Sequence, residues 1–235
     1  MAGSNDVKLL GSRRSPFVSR VKFALHLKSV DHEFIMENTQ AKSELLLKSN
    51  PIHKKIPVLI HNDKPICESL VIVQYVDEAF PDGPTILPSD PYDRSTARFW
   101  AAYIDDNWFP VFRSLADVRD EESKAAVLEK ITEGLVLLED FFRKSSNGKG
   151  FFGGDRLGYI DIVLGCYLSG IKATEIHFDM KILDETKTPA LAQWAHKFIS
   201  HDAVKGTLPE PEELLPLLKM ITAAKAAASE SEASK

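Results

Sequence analysis

Residues 54–79 constrain the fold of this chain more than any other stretch, because they change from a strand pattern to a helix pattern within a few residues. Residues 58–60 form a short apolar run, residues 62–63 are turn formers, and residues 65–67 read as a returning strand. From Ser69 onward, apolar residues recur at helical spacing. The stretch therefore predicts a β-hairpin that leads directly into a helix.

The end of this hairpin carries a predicted binding site. Glu68 and Ser69 place a carboxylate, a hydroxyl and unpaired helix N–H groups at one point. The carboxylate can take an ammonium group, and the hydroxyl with the N–H groups can take a carboxylate. Pro57, just before the first strand, is similar to the cis-proline of thioredoxin-like domains, in which the backbone of the preceding residue, here Ile56, pairs with an extended peptide.

The remaining patterns predict two domains of different class. Residues 7–10 and 32–36 read as strands and residues 16–27 and 43–48 as helices. With the hairpin and its helix they predict an α/β N-terminal domain, of thioredoxin-like order βαβαββα, over residues 1–80. Prolines cluster in residues 81–92, which we interpret as a linker. An all-α C-terminal domain is expected over residues 93–223, with helices at 93–118, 122–144, 159–175, 189–200 and 211–223, and residues 224–235 are expected to fray.

Bulk properties exclude several classes of function. The net charge of −5 argues against a broad surface for nucleic acid or anionic membrane. No apolar run is long enough to span a bilayer, and residues 1–7 do not resemble a signal peptide, so we expect a cytosolic protein with no membrane partner. Cys67 and Cys166 fit no metal or redox spacing and are expected to be packed thiols in a reducing compartment.

Ser15 admits two interpretations. It precedes Pro16 at the predicted start of the first helix, and a serine N-cap followed by proline is a good helix start by itself. Alternatively, its hydroxyl points at a ligand sulfur, because a hydroxyl donor and a helix N-terminus both favour a thiolate over a thiol. The first tyrosine is Tyr75 and the first cysteine is Cys67, so neither residue type can act at the end of the first strand, and Ser12 is the near rival.

Taken together, these motifs show that the chain resembles the cytosolic glutathione transferases, and in detail their plant tau class. The similarity covers roughly residues 7–220. The matching segments are 15–17 with 20–21, 42–43, 50–59, 65–70, 87–92, 98–101, 152–155 and 158–162.

The resemblance implies a role for each residue of a glutathione site. Ser15 would stabilise the glutathione thiolate. The other implied contacts are Lys42 and Lys55 to the glycyl carboxylate, the Ile56 backbone ahead of cis-Pro57 to the cysteinyl unit, and Glu68 and Ser69 to the γ-glutamyl end.

The resemblance also places an electrophile site between the domains, lined by Phe17, Phe109, Arg113 and the C-terminal helix. Two departures from familiar members predict a roomier and more cationic pocket that favours anionic aromatic ligands. These are the arginines at 13 and 14, in a loop that often carries apolar residues, and Gly170, where many members have a large aromatic residue. Asp161 is assigned to stability, because a carboxylate three residues after Gly158 can bond back to the N–H group at the start of a helix.

The implied activity is transfer of the glutathione sulfur to hydrophobic electrophiles in detoxification, with glutathione-dependent reduction of organic hydroperoxides as a further reaction. Glutathione is then the co-substrate, no metal or permanently bound cofactor is required, and a homodimer is expected. Two alternatives from other classes are a non-catalytic carrier of flavonoids, hormones or porphyrins, and a translation-associated interaction domain. Retention of Ser15, Glu68 and Ser69 argues against both.

Overall fold

The computed structural model describes the backbone of residues 6–233 and the side chains of residues 6–226. Its N-terminal part has the predicted order βαβαββα, so the thioredoxin-like fold is confirmed. The elements are β1 (Val7–Gly11), α1 (Pro16–Leu27), β2 (Glu33–Met36), α2 (Glu44–Ser49), β3 (Val58–His61), β4 (Lys64–Cys67) and α3 (Ser69–Ala79).

The strands form one four-stranded mixed sheet of order β2-β1-β3-β4. β1 and β2 run parallel, and the last residue of β1, Gly11, pairs with Met36. β3 is antiparallel to both neighbours, and its first residue, Val58, pairs with Leu10 of β1 and with Cys67 of β4. Consequently the ends of β1, β2 and β4 and the start of β3 all lie at the same end of the sheet.

The C-terminal part is helical, as predicted. Its first helix begins at Pro91, two residues before the predicted start, because the Asp90 carboxylate accepts hydrogen bonds from the first free amides, at Tyr92 (2.8 Å) and Asp93 (3.0 Å). The helices are α4 (Pro91–Tyr103), α5 (Phe109–Ser114), α6 (Glu121–Ser146), α7 (Tyr159–Gly165), α8 (Leu168–Phe178), α9 (Pro189–Ile199) and α10 (Pro211–Ala233).

The helical run predicted over residues 93–118 is present, but it is not one regular α-helix. After α4 the backbone widens into a π-helical turn at Ile104–Trp108, continues as α5 and tightens into a 3₁₀ turn at Leu115–Asp117. Pro110 gives the physical reason, because proline lacks an N–H group and its ring collides with the carbonyl four residues earlier. The π turn, in which the Phe109 amide bonds to the Ile104 carbonyl, makes room for that ring.

The predicted helix over residues 159–175 is also divided, at Cys166 and Tyr167, into α7 and α8. The carbonyl of Val163 accepts a hydrogen bond from the buried Arg20 guanidinium at 3.0 Å. The Tyr167 amide, which would pair with Val163 in a regular helix, bonds to the Leu164 carbonyl at 3.1 Å instead. A side chain from the other domain therefore interrupts the helical hydrogen bonds.

The C-terminal helix is longer than predicted. We expected it to end near residue 223 and the following residues to fray, but α10 continues to Ala233, and residues 234–235 lie outside the described residues. Residues 223–228 are rich in alanine, the strongest helix former, which explains the extension without an apolar face. Lys225 also forms an ion pair with Asp117, the last residue of the 3₁₀ turn.

One apolar core spans both parts of the chain. Phe23 of α1 packs edge-on against Phe198 of α9, with ring centroids 5.4 Å apart. This packing requires a glycine at position 165, because a Cβ atom there would lie 2.2 Å from the Phe198 ring. Within the described part of the chain, no helix is long and apolar enough to cross a membrane.

Candidate active site

Ser15 lies in the loop after β1 and is the N-cap of α1. Its hydroxyl oxygen accepts a hydrogen bond from the Val18 amide at 3.4 Å, which is long for such a bond. Among the described residues, none accepts a hydrogen bond from the hydroxyl proton, so Ser15 can cap the helix and still donate to a ligand. A ligand atom at this position would also meet the positive end of the helix dipole.

The sheet topology brings the other predicted glutathione residues to the same end of the molecule. Ser15 follows β1, Lys42 follows β2, Ile56 precedes β3, and Glu68 follows β4. Because these strand ends lie side by side, the four loops surround one surface next to the N-termini of α1 and α3. The sheet topology thus brings together residues that are far apart in the sequence.

The junction of β4 and α3 has an unusual backbone. Glu68 adopts a positive φ of 68°, a strained region for a residue with a side chain, and such strain is concentrated at functional sites. Its carboxylate is exposed, 4.0 Å from the His53 imidazole. Ser69, the first residue of α3, is buried, and its hydroxyl accepts a hydrogen bond from Arg20 at 3.3 Å. Glu68 therefore faces solvent, whereas Ser69 is buried and hydrogen-bonded to Arg20.

Asn50 organises the loop that carries Lys55, a role that the sequence alone did not reveal. Its buried side-chain amide donates to the Lys55 carbonyl (2.9 Å) and accepts from the His53 amide (3.1 Å). The Lys55 side chain is exposed, as is that of Lys42. The next peptide bond, Ile56–Pro57, is cis.

Arg20 is a further residue whose role the sequence analysis missed. It is fully buried and forms a two-point ion pair with Asp105, with contacts of 2.5 and 2.8 Å. The same guanidinium donates to the Tyr167 hydroxyl (3.0 Å) and to the Cys166 sulfur (3.2 Å). Together with its bond to Ser69, this network connects the β4–α3 junction to the break between α7 and α8.

Asp161 is completely buried near the start of α7 and accepts three hydrogen bonds. They come from the amides of Gly158 (2.8 Å) and Phe152 (3.0 Å) and from the Trp194 indole (2.7 Å). Burial raises the pKa of its carboxyl group to about 6, although these hydrogen bonds act in the opposite direction. Its location outside the candidate site agrees with a structural role.

A cavity of about 210 Å³ opens between the two domains. Its lining includes Arg14 from the β1–α1 loop, Pro16 from the start of α1, and Phe109 and Arg113 from α5. Leucine and isoleucine side chains of α10 cover it. Phe109 stacks on Tyr167, with centroids 4.1 Å apart. The cavity is thus an apolar space immediately beside the N-terminus of α1.

The predicted lining residues behave differently from one another. Phe109 and Arg113 line the cavity, whereas Phe17 is not among its lining residues. Phe17 packs edge-on against Phe109 (5.9 Å) and Tyr167 (6.2 Å), because α1 turns its side chain into the interdomain core. Phe17 therefore supports the aromatic wall from behind.

The cysteines are free and occupy the positions expected of packed thiols. Cys166 is buried, and burial raises the pKa of its thiol to about 12 despite the opposing charge of Arg20. Cys67 is half-buried beside Glu68. Burial is the larger cause that raises its thiol pKa, and the negative charge of the Glu68 carboxylate raises it further. Both thiols are therefore protonated at neutral pH.

Known proteins are similar to this chain over nearly its full length. Family models described as the N-terminal and C-terminal domains of glutathione S-transferase match residues 5–78 and 106–208. Glutathione S-transferase U17 of Arabidopsis thaliana is 53% identical over 219 residues, which cover 93% of this chain and 96% of that protein.

Solved structures give the same result. The structure of a tau-class glutathione S-transferase from mango, Mangifera indica, is 54% identical, covers 92% of this chain and 98% of its own, and superposes with a TM-score of 0.89. A rice transferase solved in complex with glutathione is 35% identical with a TM-score of 0.86, covering 95% and 99% of the two chains. The chain belongs to the glutathione S-transferase family and, within it, to the tau class.

Proposed function

We propose that this protein transfers the sulfur of glutathione to an electrophilic carbon, with Ser15 as the catalytic hydroxyl. The observation that carries this proposal is the Ser15 hydroxyl at the N-terminus of α1, beside an apolar cavity. Its proton is accepted by none of the described residues. The hydroxyl donates to the sulfur and stabilises the thiolate, whose free thiol has a pKa of about 8.5. The thiolate then forms the C–S bond while the leaving group departs with the bonding electrons, and the thiol proton passes to solvent.

The loops at the end of the sheet would hold the rest of glutathione. Glu68 would bind the γ-glutamyl ammonium, because its exposed carboxylate stands at the β4–α3 junction. Ser69 and the first amides of α3 would bind the adjacent carboxylate. The Ile56 backbone, ahead of cis-Pro57, would pair with the cysteinyl unit.

Lys42 and Lys55 would bind the glycyl carboxylate at the outer end of glutathione. Both ammonium groups are exposed, on loops that leave the same end of the sheet. The Asn50 contacts support this assignment for Lys55, because they fix the backbone from which its side chain extends. The structural roles proposed for Pro57 and Asp161 are to shape this loop and to anchor the start of α7.

The electrophile would occupy the cavity between Phe109, Arg113 and α10. Its apolar lining suits hydrophobic compounds and so supports a role in detoxification and stress response, with organic hydroperoxides as further substrates. The family resemblance further leads us to propose a cytosolic location. The division into domains at 1–80 and 93–223, joined by a linker, stays a prediction.

A homodimer is our proposal for the assembly. Large apolar side chains are exposed on both domains, including Ile52 (83%), Tyr92 (78%) and Phe99 (64%). Exposed apolar groups of this size favour coverage by a partner. Their occurrence on both domains would allow the N-terminal domain of one subunit to lie against the helical domain of the other.

The proposed chemistry can be tested with initial rates of glutathione conjugation to 1-chloro-2,4-dinitrobenzene between about pH 5.5 and 8.5. We expect Ser15→Ala to lower the rate about 10- to 100-fold, the equivalent of one charge-assisted hydrogen bond. The apparent thiol pKa should return towards its free value. Ser12→Ala is the matched control and should retain the wild-type profile.

Three results would contradict the proposal. An unchanged profile in Ser15→Ala would leave this residue only its helix-capping role. A loss confined to Ser12→Ala would transfer the catalytic role to Ser12. Glutathione binding without turnover in the wild-type protein would favour the non-catalytic carrier.

A further inference from the structure

We infer that the electrophile cavity is built for aromatic substrates that carry a negative charge, held by Arg14 and Arg113. This inference rests on the proposed function, because it names the substrate class of the proposed site. It is carried by the charges of the lining, the position of the two arginines and the open space at Gly170.

The cavity lining is cationic although the protein is acidic overall. The chain has a net charge of −5, yet the described residues that line the cavity include two arginines and no aspartate or glutamate. Both arginine side chains are exposed, and within the described part of the chain neither forms an ion pair or a side-chain hydrogen bond. By contrast, the buried Arg20 is paired with Asp105. The cavity therefore offers two guanidinium groups with all their donors available to a ligand.

The two arginines stand on walls that belong to different domains. Arg14 precedes Ser15 in the β1–α1 loop, and Arg113 belongs to α5. The Arg113 guanidinium lies 5.8 Å from the centre of the Phe109 ring, which itself stacks on Tyr167. An aromatic ligand on this wall would have a cation beside it, and a carboxylate on the ring would meet a planar fork of donors.

Gly170 supplies room for the ring. It lines the cavity from α8, and a Cβ atom at this position would meet nothing within 4 Å. The volume of about 210 Å³ is smaller than the roughly 300–1,000 Å³ of drug-sized sites. These dimensions suit a single substituted ring rather than a large polycyclic ligand.

For an aryl chloride that bears a carboxylate, the reaction is a nucleophilic aromatic substitution. The glutathione thiolate attacks the ring carbon, the C–S bond forms and the C–Cl bond breaks. Chloride leaves with the bonding electrons, and the thiol proton is released to solvent. The ligand carboxylate takes no part in these bonds and serves only to hold the ring.

Binding tests this inference separately from turnover. The probes are 3,5-dinitrobenzoate and its neutral isostere 3,5-dinitrobenzamide, which lack a leaving group, measured by calorimetry on full-length protein saturated with glutathione. The wild type should bind the benzoate about fivefold more tightly, as expected for a partly exposed charge pair. Arg14→Gln and Arg113→Gln should each remove most of this preference. Arg13→Gln removes the same charge from the adjacent exposed residue, which is not among the lining residues, and should preserve it.

Two further measurements sharpen the test. Raising the salt concentration should reduce the benzoate preference, because screening weakens exposed charge pairs. Gly170→Leu should weaken binding of both probes by a similar factor, because the added side chain fills the ring space without changing the charge.

Several outcomes would overturn the inference. These are equal wild-type affinities for the two probes, an effect of Arg13→Gln as large as that of Arg14→Gln, or unaltered binding in Gly170→Leu. The inference would also be overturned if the arginine variants weakened glutathione binding and left the benzoate preference intact. The arginines would then bind glutathione rather than the electrophile.

Turnover of 4-chloro-3,5-dinitrobenzoate and 4-chloro-3,5-dinitrobenzamide distinguishes the two proposals. Turnover of both compounds without a charge preference would refute only the anionic substrate class. A benzoate binding preference without turnover of either compound would refute the transferase proposal and retain the anionic cavity.

Discussion

The buried carboxyl group of Asp161 provides a quantitative test of how this fold is stabilised. The side chain is completely inaccessible to solvent and accepts hydrogen bonds from the amides of Gly158 and Phe152 and from the Trp194 indole. Burial opposes ionisation, the hydrogen bonds favour it, and burial prevails, so that the pKa is raised to about 6. The informative perturbation is Asp161→Asn, which preserves the shape of the side chain but cannot ionise.

The sign of the pH effect follows from linkage. The pKa in the folded protein, about 6, lies above the value of about 3.9 in an unfolded chain. Asp161 therefore contributes its full stability below about pH 4, and this contribution is lost as the pH rises through about 6. A difference of about two pKa units corresponds to about 3 kcal/mol.

The variant should be the less stable protein at pH 4. The asparagine oxygen can still accept from Phe152 and Trp194, but its amide group would face the N–H of Gly158. An unsatisfied buried donor costs about 1–3 kcal/mol. Between about pH 4 and 7.5, the unfolding free energy of the wild type minus that of Asp161→Asn should fall by about 2–2.5 kcal/mol, because the unfolded carboxyl group is already half ionised at pH 4.

Urea unfolding at both pH values measures this difference, with equal protein concentrations to remove any effect of association. The difference between the proteins cancels the titration of all other groups that the substitution leaves undisturbed. A gap of constant size, or one that widens as the pH rises, would refute the reasoning, because it would mean that the hydrogen bonds outweigh burial.

Further substitutions test the ion pair between the domains and the packing within the helical domain. Arg20→Gln should lower the free energy of unfolding by about 3–5 kcal/mol in urea melts, because it leaves Asp105 without its buried partner, and a loss under about 1 kcal/mol would contradict the importance of the pair. Gly165→Ala should cost about 1–3 kcal/mol, since its Cβ would collide with Phe198, and Phe198→Leu in the same chain should restore part of the loss. Gly170→Ala is the matched control in a neighbouring helix. It should raise the free energy of unfolding by up to about 1 kcal/mol, because its Cβ has free space and alanine favours helix.

The sequence predicted most successfully those features that depend on neighbouring residues. The β3–β4 hairpin and the helix after it follow from turn residues at positions 62–63 and from a change of apolar spacing at Ser69. The start of α1 follows from Ser15 and Pro16 in the same way. The convergence of the site loops is also predictable, because once the strands pair in this order their ends must lie together.

The failures have local and distant causes. Pro110 lies inside the predicted helix at 93–118, and a proline there indicates an interruption such as the π turn at Ile104–Trp108. The prediction missed it because it considered only the helical spacing of apolar residues. The alanines near the end of α10 indicate a longer helix, because alanine has the highest helix propensity even where no apolar face is present. The break between α7 and α8 is different, because it arises from the contact of the Val163 carbonyl with a residue 143 positions away.

The sequence nevertheless indicates that this residue, Arg20, is buried. It lies on α1 between Phe17 and Ala24 at helical spacing, and therefore on the face that the apolar pattern buries. A charge on a buried face must be paired, because an isolated buried charge is too costly. The pattern could thus have predicted a buried ion pair under the candidate site, but 34 acidic residues were available as partners. Only the packing of the helical domain against α1 selects Asp105, so the residue that connects the two halves of the site was predictable in kind and not in identity.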